Sequence, residues 1–77
     1  MEKEKRLSEL GVGEAAVVRE LRASDGMRRR FLDIGVIEGT RIYCIGQSPF
    51  GDPRAYLIRG KVIAVRARDA KSIVVLQ

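Results

Sequence analysis

From Ser24 to Gly35 the chain reads SDGMRRRFLDIG, and the apolar residues Met27, Phe31 and Ile34 recur there at i, i+4 and i+7. That spacing puts three apolar side chains on one face of a helix with about 3.6 residues per turn, and Leu32 widens the stripe. Ser24 or Asp25 can cap the start, and Gly35 can end the helix. The pattern predicts a helix over residues 24–35, with Arg28, Arg29 and Arg30 on its outward face.

Elsewhere the period shortens. EAAVVREL at 14–21, RIYCIGQ at 41–47, RAYLIRG at 54–60, KVIAVRA at 61–67 and SIVVLQ at 72–77 are rich in β-branched and aromatic residues and read as short strands. Glycine turns at Gly39, Gly51 and Gly60 separate them. Leu7 and Leu10 in RLSELGVGE suit a single helical turn, and RDAKS at 68–72 suits another. The predicted fold is mainly β: a small barrel of five strands, one α-helix inserted after the first strand, and short helical turns. The inward faces stay open, because Ile42 and Cys44 compete with Tyr43 and Ile45, and Tyr56 and Ile58 with Leu57. No repeat or linker interrupts residues 1–77, which read as a single domain with a charged, frayed N-terminus over 1–6.

One loop is unusually stiff. Both prolines of the chain, Pro49 and Pro53, fall within QSPFGDPR at 47–54. Each fixes its own φ and drives the preceding residue toward extended geometry, so the segment has little conformational freedom to lose on folding. Phe50 sits at the tip with only Pro49 as an apolar neighbour. It either folds back as a plug over one end of the barrel or stands out as an anchor for a partner, and the sequence admits both.

Charge narrows the partners. The 77 residues carry a net +5, and arginine supplies 11 of the 15 basic side chains. Lys3, Lys5 and Arg6 balance Glu2, Glu4 and Glu9, so the excess lies beyond the first ten residues. Such a surface favours nucleic acid, an anionic membrane or an acidic protein face. The helix triplet Arg28, Arg29 and Arg30 is either a solvated face or a docking patch. Single-strand binders stack bases on exposed aromatics, and this chain has only Phe31, Phe50, Tyr43 and Tyr56. Its lone helix also lacks a helix-turn-helix partner. A basic barrel binding nucleic acid is therefore the alternative reading.

Chemistry is sparse. Histidine is absent, so Ser8, Ser24, Ser48 and Ser72 have no base to complete a Ser-His-Asp set. Gly60-Lys61 is followed by Val62 and has Ala55 where a phosphate loop needs its first glycine. GVG at 11–13 lacks the third glycine of a dinucleotide fingerprint. The single cysteine, Cys44, has no companion ligand and is expected to be a buried small hydrophobe. No enzyme activity, cofactor or metal site is predicted. The charged N-terminus has no apolar stretch behind it, and the longest aliphatic run, Ile73 to Leu76, cannot span a bilayer. The expected location is the cytoplasm.

Taken in combination, LSEL with Gly13 following, MRRRFLDIG, the Gly39-Thr40 turn into RIYCI, the SPFGDP loop, Arg59-Gly60 and AVRARDAKSIVV at 64–75 resemble the FeoA family of ferrous iron transport accessory proteins. The likeness spans Leu7 to Val75. It departs at Glu38, where the family usually has proline, and at Phe50, where the family often has an aliphatic residue. The resemblance implies an SH3-like barrel of the kind that also forms the C-terminal domain of iron-dependent repressors. It also implies a non-enzymatic role beside FeoB, the transporter whose cytosolic G-protein domain would be the partner. A stand-alone repressor-like interaction domain is a further alternative. The candidate partner-binding residues are Arg28, Arg29, Arg30, Pro49 and Phe50.

Overall fold

The computed structural model describes residues 2–77. Its strands are β1 (Glu4–Arg6), β2 (Ala15–Leu21), β3 (Arg41–Gln47), β4 (Arg54–Ile58), β5 (Lys61–Val65) and β6 (Ile73–Leu76). They form one antiparallel sheet in the order β1-β6-β2-β3-β4-β5, an open barrel whose two edge strands are β1 and β5. A 3-10 turn at Leu7–Glu9 follows β1, the helix α1 (Asp25–Ile34) connects β2 to β3, and a one-turn helix α2 (Ala67–Ala70) connects β5 to β6.

Where five strands are expected, six are found. The extra one, β1, lies inside the segment expected to be frayed, and it pairs Glu4, Lys5 and Arg6 with Leu76, Val75 and Val74. Lys3 and Gln77 exchange backbone hydrogen bonds of 2.9 and 3.0 Å, and Lys5 Nζ donates to Gln77 Oε1 at 2.8 Å. A charged tripeptide has little strand propensity of its own. The exposed edge of β6 supplies the missing partner.

The structure settles the strand faces. Ile42 and Cys44 are buried while Tyr43 and Ile45 face outward, and Tyr56 and Ile58 are buried while Leu57 is half-buried. Ile45 is the extra residue of a bulge in β3, because Cys44 pairs with Tyr56 and Gly46 with Ala55. The core gathers Leu7, Leu10, Val18, Phe31, Val36, Ile42, Tyr56, Ile58, Ile73 and Val75. Arg54 sends one guanidinium nitrogen to the carbonyl oxygens of Ser8 and Leu10, fastening the 3-10 turn to β4.

Helix α1 packs by the stripe read from its period: Phe31 is buried, and Met27 and Ile34 lie against the core. Leu32 does not join them. It is about 100° around the helix from Phe31, and it stays 44% exposed. Ser24 occupies the N-cap position in an extended conformation but makes no side-chain cap, and Gly35 ends the helix at φ 103°. Between β4 and β5 the chain reverses through Arg59 and Gly60, at φ 51° and 82°. Two successive positive φ values mark the two-residue turn whose twist matches a hairpin.

Candidate docking surface

The three arginines of α1 do not share one environment. Arg28 Nη1 donates a 2.7 Å hydrogen bond to the carbonyl oxygen of Leu21 and so ties the helix to the end of β2. Arg29 and Arg30 are exposed. Among the described residues none of the three enters an ion pair, whereas Arg19, Arg22 and Arg68 do. Their charge is therefore not neutralised by an ion pair, and it adds to the positive field of the surface.

The stiff loop projects its aromatic. Gly51 N–H donates to Ser48 O at 2.8 Å and Ser48 N–H to Pro53 O at 3.0 Å, with a cis bond between Asp52 and Pro53. Pro49 and Phe50 are the central residues of the turn closed by the first of these bonds, and that turn directs them away from the barrel. Phe50 is 97% exposed. The plug reading of Phe50 is thereby corrected: the core is complete without it, and the ring stands in solvent on a hydrogen-bonded support.

A third feature links these two. Between α1 on one side and β5 with the start of α2 on the other lies a groove of about 250 Å³. Met27, Phe31, Ile34, Ile63 and Val65 supply apolar lining, and Arg30, Arg66 and Arg68 stand around it. Asp69, 4.0 Å from Arg68, is the one acidic residue there. Asp52 Oδ1 accepts a 2.9 Å hydrogen bond from Ala67 N–H, so the Phe50 loop is joined to the same one-turn helix that walls the groove. The structure thus brings Arg30 and the Pro49-Phe50 tip to a common neighbour, α2, while Arg28 is committed to β2 and Arg29 lies outside the groove. Sequence reasoning did not single out Arg66 and Arg68. Their only signal was the arginine pair in RARD directly after an apolar strand.

The shifted titrations lie outside the groove and the Phe50 loop. Burial pushes the Tyr56 phenol up, with Cys44 adding to the shift and Arg54 opposing it. A hydrogen bond from Gly11 N–H lowers the Glu14 carboxyl, and Arg22 lowers the Glu20 carboxyl. Cys44 is buried, and among the described residues no three His, Cys, Asp or Glu side chains cluster as a metal site would need. An apolar groove, an exposed ring and a set of arginine guanidinium groups are the features this surface offers to a partner.

A family model described as the FeoA domain matches residues 5–76. The chain belongs to the FeoA domain family. FeoA proteins belong to ferrous iron transport, and a FeoA relative in Porphyromonas gingivalis is a Fe(2+) transport protein A/Fe(2+) transporter FeoB fusion protein. That relative is 34% identical over 68 residues, which are 88% of this chain and 8% of the fusion. This chain therefore spans a small part of that curated relative. The FeoA protein of Chlorobium tepidum, solved by NMR, superposes with a TM-score of 0.86 at 32% identity, covering 92% of this chain and 68% of that one. Stenotrophomonas maltophilia FeoA, crystallised with zinc and described as a procaryotic SH3 domain protein, gives a TM-score of 0.82 at 29% identity, covering 92% and 88%. The partly open barrel described above is this SH3-like fold.

Proposed function

We propose that this chain is a non-enzymatic accessory protein of bacterial ferrous iron uptake, acting in the cytoplasm by docking on the cytosolic G-protein domain region of a FeoB-type transporter. The observation that carries the reading is Phe50, 97% exposed on a doubly hydrogen-bonded loop joined through Asp52 to the arginine-lined groove. A large apolar ring held rigidly in water adds anchoring area to an interface with little ordering cost. The arginines around it favour an acidic partner and speed encounter with it. The Porphyromonas gingivalis fusion, in which one polypeptide carries both protein names, supports a partnership at short range. The Stenotrophomonas maltophilia relative, described as a candidate activating factor of ferrous iron transport, supports the regulatory role.

The test is the affinity of this protein for the cytosolic domain of its own organism's FeoB, measured against single-stranded DNA over a range of salt. Docking predicts saturable binding to the domain that outlasts binding to DNA as salt rises, since the Phe50 contact is apolar and DNA binding here would rest on charge. Binding to DNA alone, vanishing with salt, would contradict the proposal.

A further inference from the structure

We propose that β5 is a receiving edge: an extended acidic segment of the partner adds to the sheet alongside β5, in the groove facing α1. Because β4 and β5 are joined by the two-residue turn Arg59-Gly60, the flanking pair Ile58 and Lys61 is the hydrogen-bonded pair that closes the hairpin. In an antiparallel pair hydrogen-bonded positions alternate, so Ile63 and Val65 also point their backbone groups toward β4. Val62 and Ala64 therefore turn their N–H and C=O groups to the other side. β5 ends the sheet, and among the described residues no hydrogen bond reaches the backbone of Val62 or Ala64 from outside it. Four backbone groups are left for a strand that is not present.

What faces that edge selects the strand. Ala64 lies along the groove, with Met27, Ile34 and Ile63 as partly buried apolar lining and Arg30, Arg66 and Arg68 also around it. Side chains of an added strand alternate between two faces, so one set would enter the apolar groove and the other would meet guanidinium groups. The occupant that fits is an extended segment alternating apolar and acidic residues. A basic or uniformly polar segment would either oppose three arginines or leave the apolar lining uncovered. An unprotected edge usually carries a charge or proline that discourages pairing. Here the charges near the edge are mostly basic, Arg30, Arg66 and Arg68 against the single carboxylate of Asp69, which admits acidic strands and repels a second basic copy of this chain.

This inference rests on the docking reading above for its partner, and its experiment separates the two. The probe is a capped peptide of alternating glutamate and valine, with a lysine-valine peptide as control, titrated into the full chain while amide hydrogen exchange is followed by NMR. The expected result is slowed exchange at Val62 and Ala64 with the acidic peptide alone. Ala64→Pro removes a donor that the fold does not use and that proline tolerates on an outward-facing edge position, so it should abolish that protection while leaving the rest of the spectrum in place. Should that variant fail to fold, Arg30→Glu with Arg66→Glu gives the second reading, an affinity lower by about tenfold or more at low salt.

Equal binding of both peptides, or protection confined to residues away from β5, overturns the proposal. Concentration-dependent protection of the same amides without peptide also overturns it, because the edge would then receive a second copy. Docking of the FeoB cytosolic domain that is unaffected by Ala64→Pro overturns the edge while the docking reading stands. Peptide protection with no docking of that domain supports the edge and contradicts the docking reading.

Discussion

Asp52 and Ala67 are joined across the molecule: the carboxylate Oδ1 of Asp52, in the β3–β4 loop, accepts a 2.9 Å hydrogen bond from the backbone N–H of Ala67, the first residue of α2. A helix start leaves backbone donors without partners, and here the partner comes from a distant loop instead of the N-cap residue. The N-cap residue itself, Arg66, makes no side-chain cap. The bond therefore fixes the loop and caps the helix together.

Asp52→Ala should lower stability by about 1 kcal/mol, the usual loss for a capping acceptor, and lower Tm by about 4–8 °C for a chain of this size. Asp52→Asn, which keeps an acceptor oxygen, should recover most of the loss. Thermal and denaturant unfolding of the three proteins checks this, and amide exchange at Ala67 should quicken only in the alanine variant.

Arg54 holds the N-terminal turn through the carbonyl oxygens of Ser8 and Leu10. Arg54→Ala leaves those acceptors without their donor near a buried Leu10, at a cost of about 1–3 kcal/mol. Denaturant unfolding should show that loss, and limited proteolysis should cut first at the N-terminal turn.

Gly35 ends α1 at φ 103°, and a Cβ placed there would collide with the Arg59 side chain. Gly35→Ala should therefore cost about 1–2 kcal/mol for the left-handed backbone, plus a steric part. Adding Arg59→Ala should return the steric part and leave the backbone part. A double-mutant cycle in urea separates the two, and full recovery would show that the backbone conformation is not limiting.

The Tyr56 phenol lies above its ordinary value of 10.0, first because burial disfavours the phenolate. A raised pKa in the folded state means that the stability tied to the neutral phenol is fully present below the unfolded value and is lost as pH rises through the folded one. The unfolding midpoint should hold steady from about pH 8 and fall beyond about pH 10. Tyr56→Phe, which cannot ionise, should remove the part of the alkaline fall due to this residue. An unchanged profile in that variant would contradict the assignment.

The parts of the fold that follow from local pattern could be read from the chain, and the parts made by long-range pairing could not. Met27, Phe31 and Ile34 announce α1 because a helix repeats its buried face within a few residues. The five apolar strands announce themselves by composition. Glu4–Arg6 carries no such signal, since its strand exists only by pairing with β6 at the far end of the chain. Strand faces likewise awaited the sheet, because Ile42 and Tyr43 are both strand formers with a large apolar body and only the core decides which turns inward. The same distinction divides the docking surface. Loop stiffness was legible from two prolines, but the exposure of Phe50 depends on how the loop's hydrogen bonds aim it. Arg66 and Arg68 join Arg30 only because the barrel folds β5 and α2 toward α1.

The most direct measurement is an NMR titration of the isotope-labelled protein with the FeoB cytosolic domain, run in parallel on Phe50→Ala. Removing a fully exposed ring should change folding stability by no more than about 0.5 kcal/mol, so the variant tests contact alone. Shifts should concentrate on Pro49 to Asp52, Arg30 and Arg66 to Arg68 in the unmodified protein, and affinity should be at least about fivefold weaker in Phe50→Ala, as loss of an interface anchor requires. Shifts elsewhere on the barrel, or equal affinity of the two proteins, would contradict it.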